Sequence, residues 1–238
     1  FKVDTTAPSC NWQGESTSWT NSNRSVSVSC SDSVSGCTTS GNTWNFTSGT
    51  VKTSGLSYTI IDNAGNTTTC SKNANVYVDK DVPTCNINAS GTTGNNGWYK
   101  SNVNLSLQTA DVHKEYGLIA ATGLSTSITS YYNGLSSVDV GNTNGTTYYG
   151  YVKDKAGNVG RCSTFVKVDT TAPSCNWQGE STSWTNSNRS ISVSCSDFVS
   201  GCATSGNTWN FTSGTVKNSN LEYTITDNAG NSSYCINN

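Results

Sequence analysis

The residues of this chain best equipped for chemistry are ten cysteines, a set of aspartates at recurring positions, seven tryptophans and a single histidine. The cysteines fall into two spacings. Cys10 and Cys70, Cys85 and Cys162, and Cys175 and Cys235 stand at matching places in three successive stretches. Cys30 with Cys37, and Cys195 with Cys202, occur only in the first and third stretches, and the middle one carries Thr109 where Cys30 would stand. Both members being absent together is what a disulfide predicts, so the internal comparison gives five bridges: Cys10–Cys70, Cys85–Cys162, Cys175–Cys235, Cys30–Cys37 and Cys195–Cys202. Chain entropy alone makes each long bridge worth about 4 kcal/mol and each short one about 2.5 kcal/mol. Zinc is the competing use of cysteine and fails on spacing, because there is no Cys-x-x-Cys pair and only His113 to complete a ligand set.

The aspartates suggest a harder ion. Asp4, Asp79, Asp81 and Asp169 open the stretches, while Asp32, Asp62 and their counterparts lie at loop ends that could converge with backbone carbonyls on calcium. Each opening carries only one or two carboxylates and no acidic run, so turn chemistry is the better-supported reading: Asp62, Asp154 and Asp227 cap turns and Asp4 organises a linker. No other cofactor is implied. Trp12, Trp44, Trp177 and Trp209 are missing from the middle stretch and are the candidates for a glycan-stacking surface. Trp19, Trp98 and Trp184 share one position before a strand in all three, which suits packing. His113, between Val112 and Lys114, has no nucleophile motif around it and reads as a solvated loop residue; no catalytic constellation points to an enzyme.

What must position these groups is a repeat. Lys2 to Cys70 recurs as Lys167 to Cys235 at a constant offset of 165, with ten substitutions. Residues 79 to 168 form a diverged version: Val78-Asp79-Lys80-Asp81-Val82-Pro83-Thr84-Cys85 answers Val3 to Cys10, and Asp154-Lys155-Ala156-Gly157-Asn158 answers Asp62-Asn63-Ala64-Gly65-Asn66. A fixed-period self-match is the mark of an array. The predicted domains are 1–78, 79–168 and 169–238, each small enough to bury little surface and to gain from covalent bridges.

Within each repeat the pattern is β. Val26, Val28 and Cys30 alternate with Ser25, Ser27 and Ser29, so one face is apolar and the other wet. Residues 43–47 and 56–61 read as further strands, with Leu56, Tyr58 and Ile60 inward. Asp62 to Asn66 reads as a hairpin turn in which Gly65 supplies a positive φ. The strand that follows, 67–78, is expected to run straight into the next linker, where Pro8 and its counterparts stiffen the chain. The second repeat places Leu105 and Leu107 at Val26 and Val28, and its extra length falls between Asp111 and Tyr148. No segment has a helical period.

The Val-Asp-Thr-Thr-Ala-Pro opening, the Cys30-Ser-Asp-Ser-Val-Ser-Gly36 segment and the Asp-Asn-Ala-Gly-Asn turn, in that order, resemble the tandem bacterial immunoglobulin-like repeats of large surface proteins and adhesins. The second repeat departs from the pattern at its linker and lacks the Ser-Gly-Cys segment. The resemblance implies three tandem immunoglobulin-like antiparallel β-sandwiches in an elongated array, serving as a spacer, stalk or filament that holds an adhesive or catalytic tip away from a cell. It implies no activity in the repeat itself.

Charge and hydropathy exclude other classes. A net charge of −2 without a basic cluster gives no footprint for nucleic acid, and no apolar run approaches the 18 or so residues of a membrane span. Cysteine usage places the chain outside the cell or on its surface. Phe1-Lys2-Val3 corresponds to Val166-Lys167-Val168, and the counterpart of residues 74–78 does not follow Cys235. The chain therefore reads as a window of a longer array. Its expected partners are neighbouring repeats, a glycan or host surface, or, were no further repeat attached, another copy whose first strand completes the last sheet and builds a fibre.

Overall fold

The computed structural model describes residues 1–47, 49–52, 55–121, 137–215 and 219–237. It is all-β, built of several antiparallel sheets, and no helix occurs among the described residues.

In the first repeat β1 (Ser9–Gln13), β2 (Arg24–Ser31) and β3 (Asn42–Phe46) form one sheet in that order. β2 buries Val26 and Val28 and leaves Ser25 to solvent, as a period-two pattern requires. β4 (Thr50–Lys52), β5 (Gly55–Ile61), β6 (Thr67–Asn73) and β7 (Val76–Val78) follow. β5 and β6 make a hairpin closed by the Asp62 turn, where Gly65 has φ +92°. The expected continuous strand over 67–78 is two strands in two sheets: β6 pairs with β5, and β7 with β4. Between them Ala74 is buried, and its small side chain lets the chain step from one sheet to the other while Val76 and Val78 enter the core.

The second repeat holds β8 (Asn86–Ser90), β9 (Trp98–Tyr99), β10 (Val103–Gln108), β11 (Lys114–Ala120), β12 (Ser137–Val140), β13 (Thr143–Asp154) and β14 (Val159–Val168). Its sheets run β12-β10-β8 and β11-β13-β14-β9, the last pairing being parallel. Here the closing strand is continuous, so β14 does alone what β6 and β7 do in the first repeat. The third repeat restates the first with β15 (Ser174–Gln178), β16 (Arg189–Ser196) and β17 (Asn207–Phe211) in one sheet, and β18 (Leu221–Thr226) with β19 (Ser232–Asn237) in another.

Each cluster of buried apolar side chains stays within one repeat. Val26, Phe46, Leu56, Val76 and Val78 form one in the first, beside Val28, Ile60 and Cys70. Ile87, Val103, Leu105, Ile119, Val140, Val166 and Val168 pack together in the second, and Val193, Ile225 and Cys235 in the third. By contacts the chain divides into two compact units. One is Phe1–Thr84 with Thr109–Tyr116 and Val152–Gly160; the other is Cys85–Gln108 with Gly117–Tyr151 and Arg161–Asn238.

Candidate functional site

All five bridges are formed with the pairing expected: Cys10–Cys70, Cys85–Cys162, Cys175–Cys235, Cys30–Cys37 and Cys195–Cys202. The register alone would mislead, because Cys10 lies directly opposite Cys30 across β1 and β2, yet each bonds elsewhere.

Between the bridges, the loops converge on the linkers. Asp4, Asp32 and Asp62 bring one carboxylate oxygen each within 4.8 Å of the others, and so do Asp169, Asp197 and Asp227. In the second repeat the cluster that forms is Asp79, Asp111 and His113, without Asp154, the counterpart of Asp62. Asp81 belongs to none of these; its backbone N–H donates to Asp79 Oδ1 at 3.0 Å.

Hydrogen bonds explain the convergence. Asp32 Oδ1 accepts the backbone N–H groups of Val34, Ser35 and Gly36 at 2.8–3.0 Å. Asp62 Oδ1 accepts those of Ala64 and Asn66, and Asp4 takes Thr6 on Oδ1 and Ser35 on Oδ2. Asn66 then ties the turn to the linker: its Nδ2 lies within hydrogen-bond distance of Asp62 Oδ2 and of the Asp4 and Thr6 carbonyls. Asn231 repeats this on Asp227, Asp169 and Thr171, and Asn158 on Asp154 and Asp79. Among the described residues no buried side-chain N or O is left without a partner. The clamp is thus complete as a set of Asx turns, and its oxygens are of the hard kind that calcium takes. Hydrogen bonds from Ser35 and Thr6 hold the Asp4 carboxyl below its ordinary value. Burial pushes Asp62 up, but the bonds from Asn66 and Ala64 more than offset it, so this carboxyl too sits low.

His113 is not a solvated loop residue. Its Nδ1 lies 2.9 Å from Asp79 Oδ2, the place that the Ser35 N–H takes on Asp4, and its ring packs 4.3 Å from that of Trp19. Trp19 also contacts Tyr77 at 5.0 Å, so a loop of the first repeat is seated on the linker and on a loop of the second. One cue lies in the spacing, since Asp111 and His113 stand two and four positions after Thr109, at the places of Asp32 and Val34 after Cys30.

The three tryptophans of the shared pre-strand position differ. Trp98 is buried, Trp19 half-buried and Trp184 91% exposed. The glycan candidates are paired: Trp12 stacks on Trp44 at 5.7 Å and Trp177 on Trp209 at 5.6 Å. These rings also lie against the core, and Lys72 Nζ sits 5.8 Å over Trp12. In comparison with known proteins, no family model matches this chain and no curated protein matches it.

Proposed function

We propose that the chain is a non-catalytic, extracellular spacer segment of a repetitive bacterial surface protein, stalk or filament, made of three immunoglobulin-like sandwich domains at 1–78, 79–168 and 169–238. The observation that carries this reading is the serial placement of the long bridges. Cys10–Cys70, Cys85–Cys162 and Cys175–Cys235 each join the start of a repeat to its last hairpin, closing off 60, 77 and 60 residues. Tension applied at the two ends passes from bridge to bridge along the linkers, and the bulk of each repeat lies outside the loaded path. A spacer of fixed length needs that property.

Single-molecule pulling of the whole chain tests the reading. With bridges intact, the chain lengthens little under load. With reductant, stepwise gains of about 200, 270 and 200 Å are expected, at about 3.5 Å per released residue. Equal extension with and without reductant would show that the bridges carry no load and would remove the argument for a spacer. A carbohydrate-binding module using Trp12, Trp44, Trp177 and Trp209 is the second reading, supported by the stacked pairs. Glycan-array binding lost on Trp44→Ala would favour it.

A further inference from the structure

The two bridges of the first repeat meet across one strand pair. β1 runs antiparallel to β2 with Cys10 directly opposite Cys30, so both side chains leave the sheet on the same face. Cys10 is bonded to Cys70 and Cys30 to Cys37, and Cys10, Cys30 and Cys70 share one apolar cluster with Val28 and Ile60. The third repeat restates this with Cys175 opposite Cys195, bonded to Cys235 and Cys202 respectively. The second repeat holds its long bridge alone, with Thr109 at the place of Cys30.

A further pairing is therefore available in the fold and is not used. Directly opposite residues of an antiparallel pair stand about 4.5–5.5 Å apart at Cα, inside the roughly 4.4–6.8 Å that a disulfide spans. Joining Cys10 to Cys30 needs a turn of the side chains and no movement of strands. Cys37 has no such relation to β1, since it lies in the loop after β2 and pairs with Asp62. Access differs as well. Cys30 and Cys37 are half-buried, with exposed Ser33 and Val34 between them, whereas Cys70 is buried. A thiol arriving from solution reaches the short bridge, and the far sulfur of the long one is shielded.

We propose that the paired bridges are a site of thiol–disulfide exchange, which takes a small thiol from solution and uses Cys30 to pass the opening on to the long bridge. The incoming thiolate attacks Cys37 Sγ, forming a mixed disulfide there and expelling Cys30 as a thiolate. Cys30 Sγ then attacks Cys10 Sγ: the Cys10–Cys30 bond forms, the Cys10–Cys70 bond breaks, and Cys70 leaves as a thiolate that takes up a proton. A second thiol reduces the mixed disulfide and leaves Cys37 as a thiol. In balance, two small thiols become their disulfide, and one protein disulfide is reduced to the Cys37 and Cys70 thiols. Because the strand pair holds attacker and target together, the second step is intramolecular and outruns direct attack on the long bridge when thiol is scarce.

The exchange moves the crosslink. A bridge that closed off 60 residues becomes one that spans only Cys10 to Cys30, and the stretch from Cys30 to Cys70 joins the path between the ends. On the spacer reading, on which this consequence alone rests, the first and third repeats become extensible by about 140 Å each at about 3.5 Å per residue. The second repeat, without a short bridge, has no such route.

Limited reduction of the whole chain tests the exchange. The folded protein is treated with limiting 2-mercaptoethanol, quenched with iodoacetamide and mapped as non-reduced peptides. Cys10–Cys30 and Cys175–Cys195 bridges are expected to accumulate, with Cys37, Cys70, Cys202 and Cys235 alkylated. Two substitutions read the direction of transfer. Cys37→Ser leaves Cys30 as a thiol opposite the long bridge and should yield Cys10–Cys30 and a free Cys70 without added thiol. Cys30→Ser leaves Cys37 as the thiol and should keep Cys10–Cys70. Both variants lose the same short bridge, so a general loss of stability affects them alike and only the exchange separates them. Absence of the cross-strand bridge from the parent at every thiol concentration overturns the proposal, and so does the same bridging pattern in the two variants. Pulling is a separate readout: if the cross-strand bridge is trapped but the step of about 140 Å is missing at limiting thiol, the exchange stands and the spacer reading falls.

Discussion

His113 and Asp79 form a contact of 2.9 Å that has no counterpart in the other two repeats, where backbone N–H groups of Ser35 and Ser200 occupy the same carboxylate position. One side chain thereby replaces a loop: the second repeat lacks the Ser-Gly-Cys segment that presents Ser35, and His113 reaches Asp79 from the start of β11 while covering Trp19.

Removing the imidazole therefore unseats two things at once. His113→Ala is expected to lower stability by about 1.5–3 kcal/mol, the range for a hydrogen bond to a charged partner. It should also shift the emission of Trp19 toward that of a water-exposed indole. Loss of stability without a change in emission would show that the stacking on Trp19 does not exist in solution.

The Asn at the end of each Asp-x-Ala-Gly-Asn turn should matter more than its exposure suggests. Asn66 Nδ2 contacts three oxygens, two of them linker carbonyls. Asn66→Ala is expected to cost about 1–3 kcal/mol through these unpaired groups, and to speed amide exchange at Thr6. The same substitution at Asn23, a loop position, should do neither.

Acid should loosen these clamps in a defined direction. Asp4 and Asp62 are held below their ordinary values in the fold. A carboxyl with a folded pKa below its unfolded value of about 3.9 contributes stability that is fully present above that pH. The contribution is lost as pH falls through the folded value, because the unfolded chain then binds the proton more readily. The melting temperature is thus expected to be level from neutral pH to about 5 and to decline below about 4, and Asp62→Asn should flatten the decline. A melting temperature that rises on acidification would contradict the hydrogen-bond assignment.

Calcium gives an independent check on the same groups. Because the carboxylates of the three clusters are already engaged by N–H groups, chelator should leave the melting temperature unchanged. A calcium-dependent rise that grows with concentration, as linkage demands of an ion bound only by the folded state, would identify the clusters as metal sites.

How far the sequence revealed all this depended on where the repeats agree and where they differ. The bridges were legible because the second repeat lacks Cys30 and Cys37 together, and the inward faces of β2 and β5 followed from alternation. The break between β6 and β7 was missed although Asn73 and Asn75, both of a turn-forming type, flank it, because the alternation on either side reads as one strand and the step depends on the room around Ala74. The role of His113 was not legible either, since it depends on Asp79, 34 positions away.

Core volume was equally hidden, and Gly150 shows why. It stands where the first repeat has Tyr58, opposite the long bridge, and a Cβ there would lie 2.6 Å from Cys162 Sγ, 2.9 Å from Leu107 Cδ1 and 3.1 Å from Cys85 Sγ. Gly117 meets Leu107 from another side, with Cδ2 2.6 Å from where its Cβ would be. Leu107, at the place of the smaller Val28, fills the room that the two glycines leave. Gly150→Ala should therefore destabilise the second repeat by about 1–3 kcal/mol through overpacking, with the bridge itself as one of the atoms struck. A double-mutant cycle separates this from any backbone effect: with Cys85 and Cys162 both changed to Ala, two sulfurs leave the site and the cost of Gly150→Ala should fall. Sites in contact are expected to couple by about 0.5–3 kcal/mol. An unchanged cost in the bridgeless background would place the strain on Leu107 alone, and Leu107→Val would then be the substitution that relieves it.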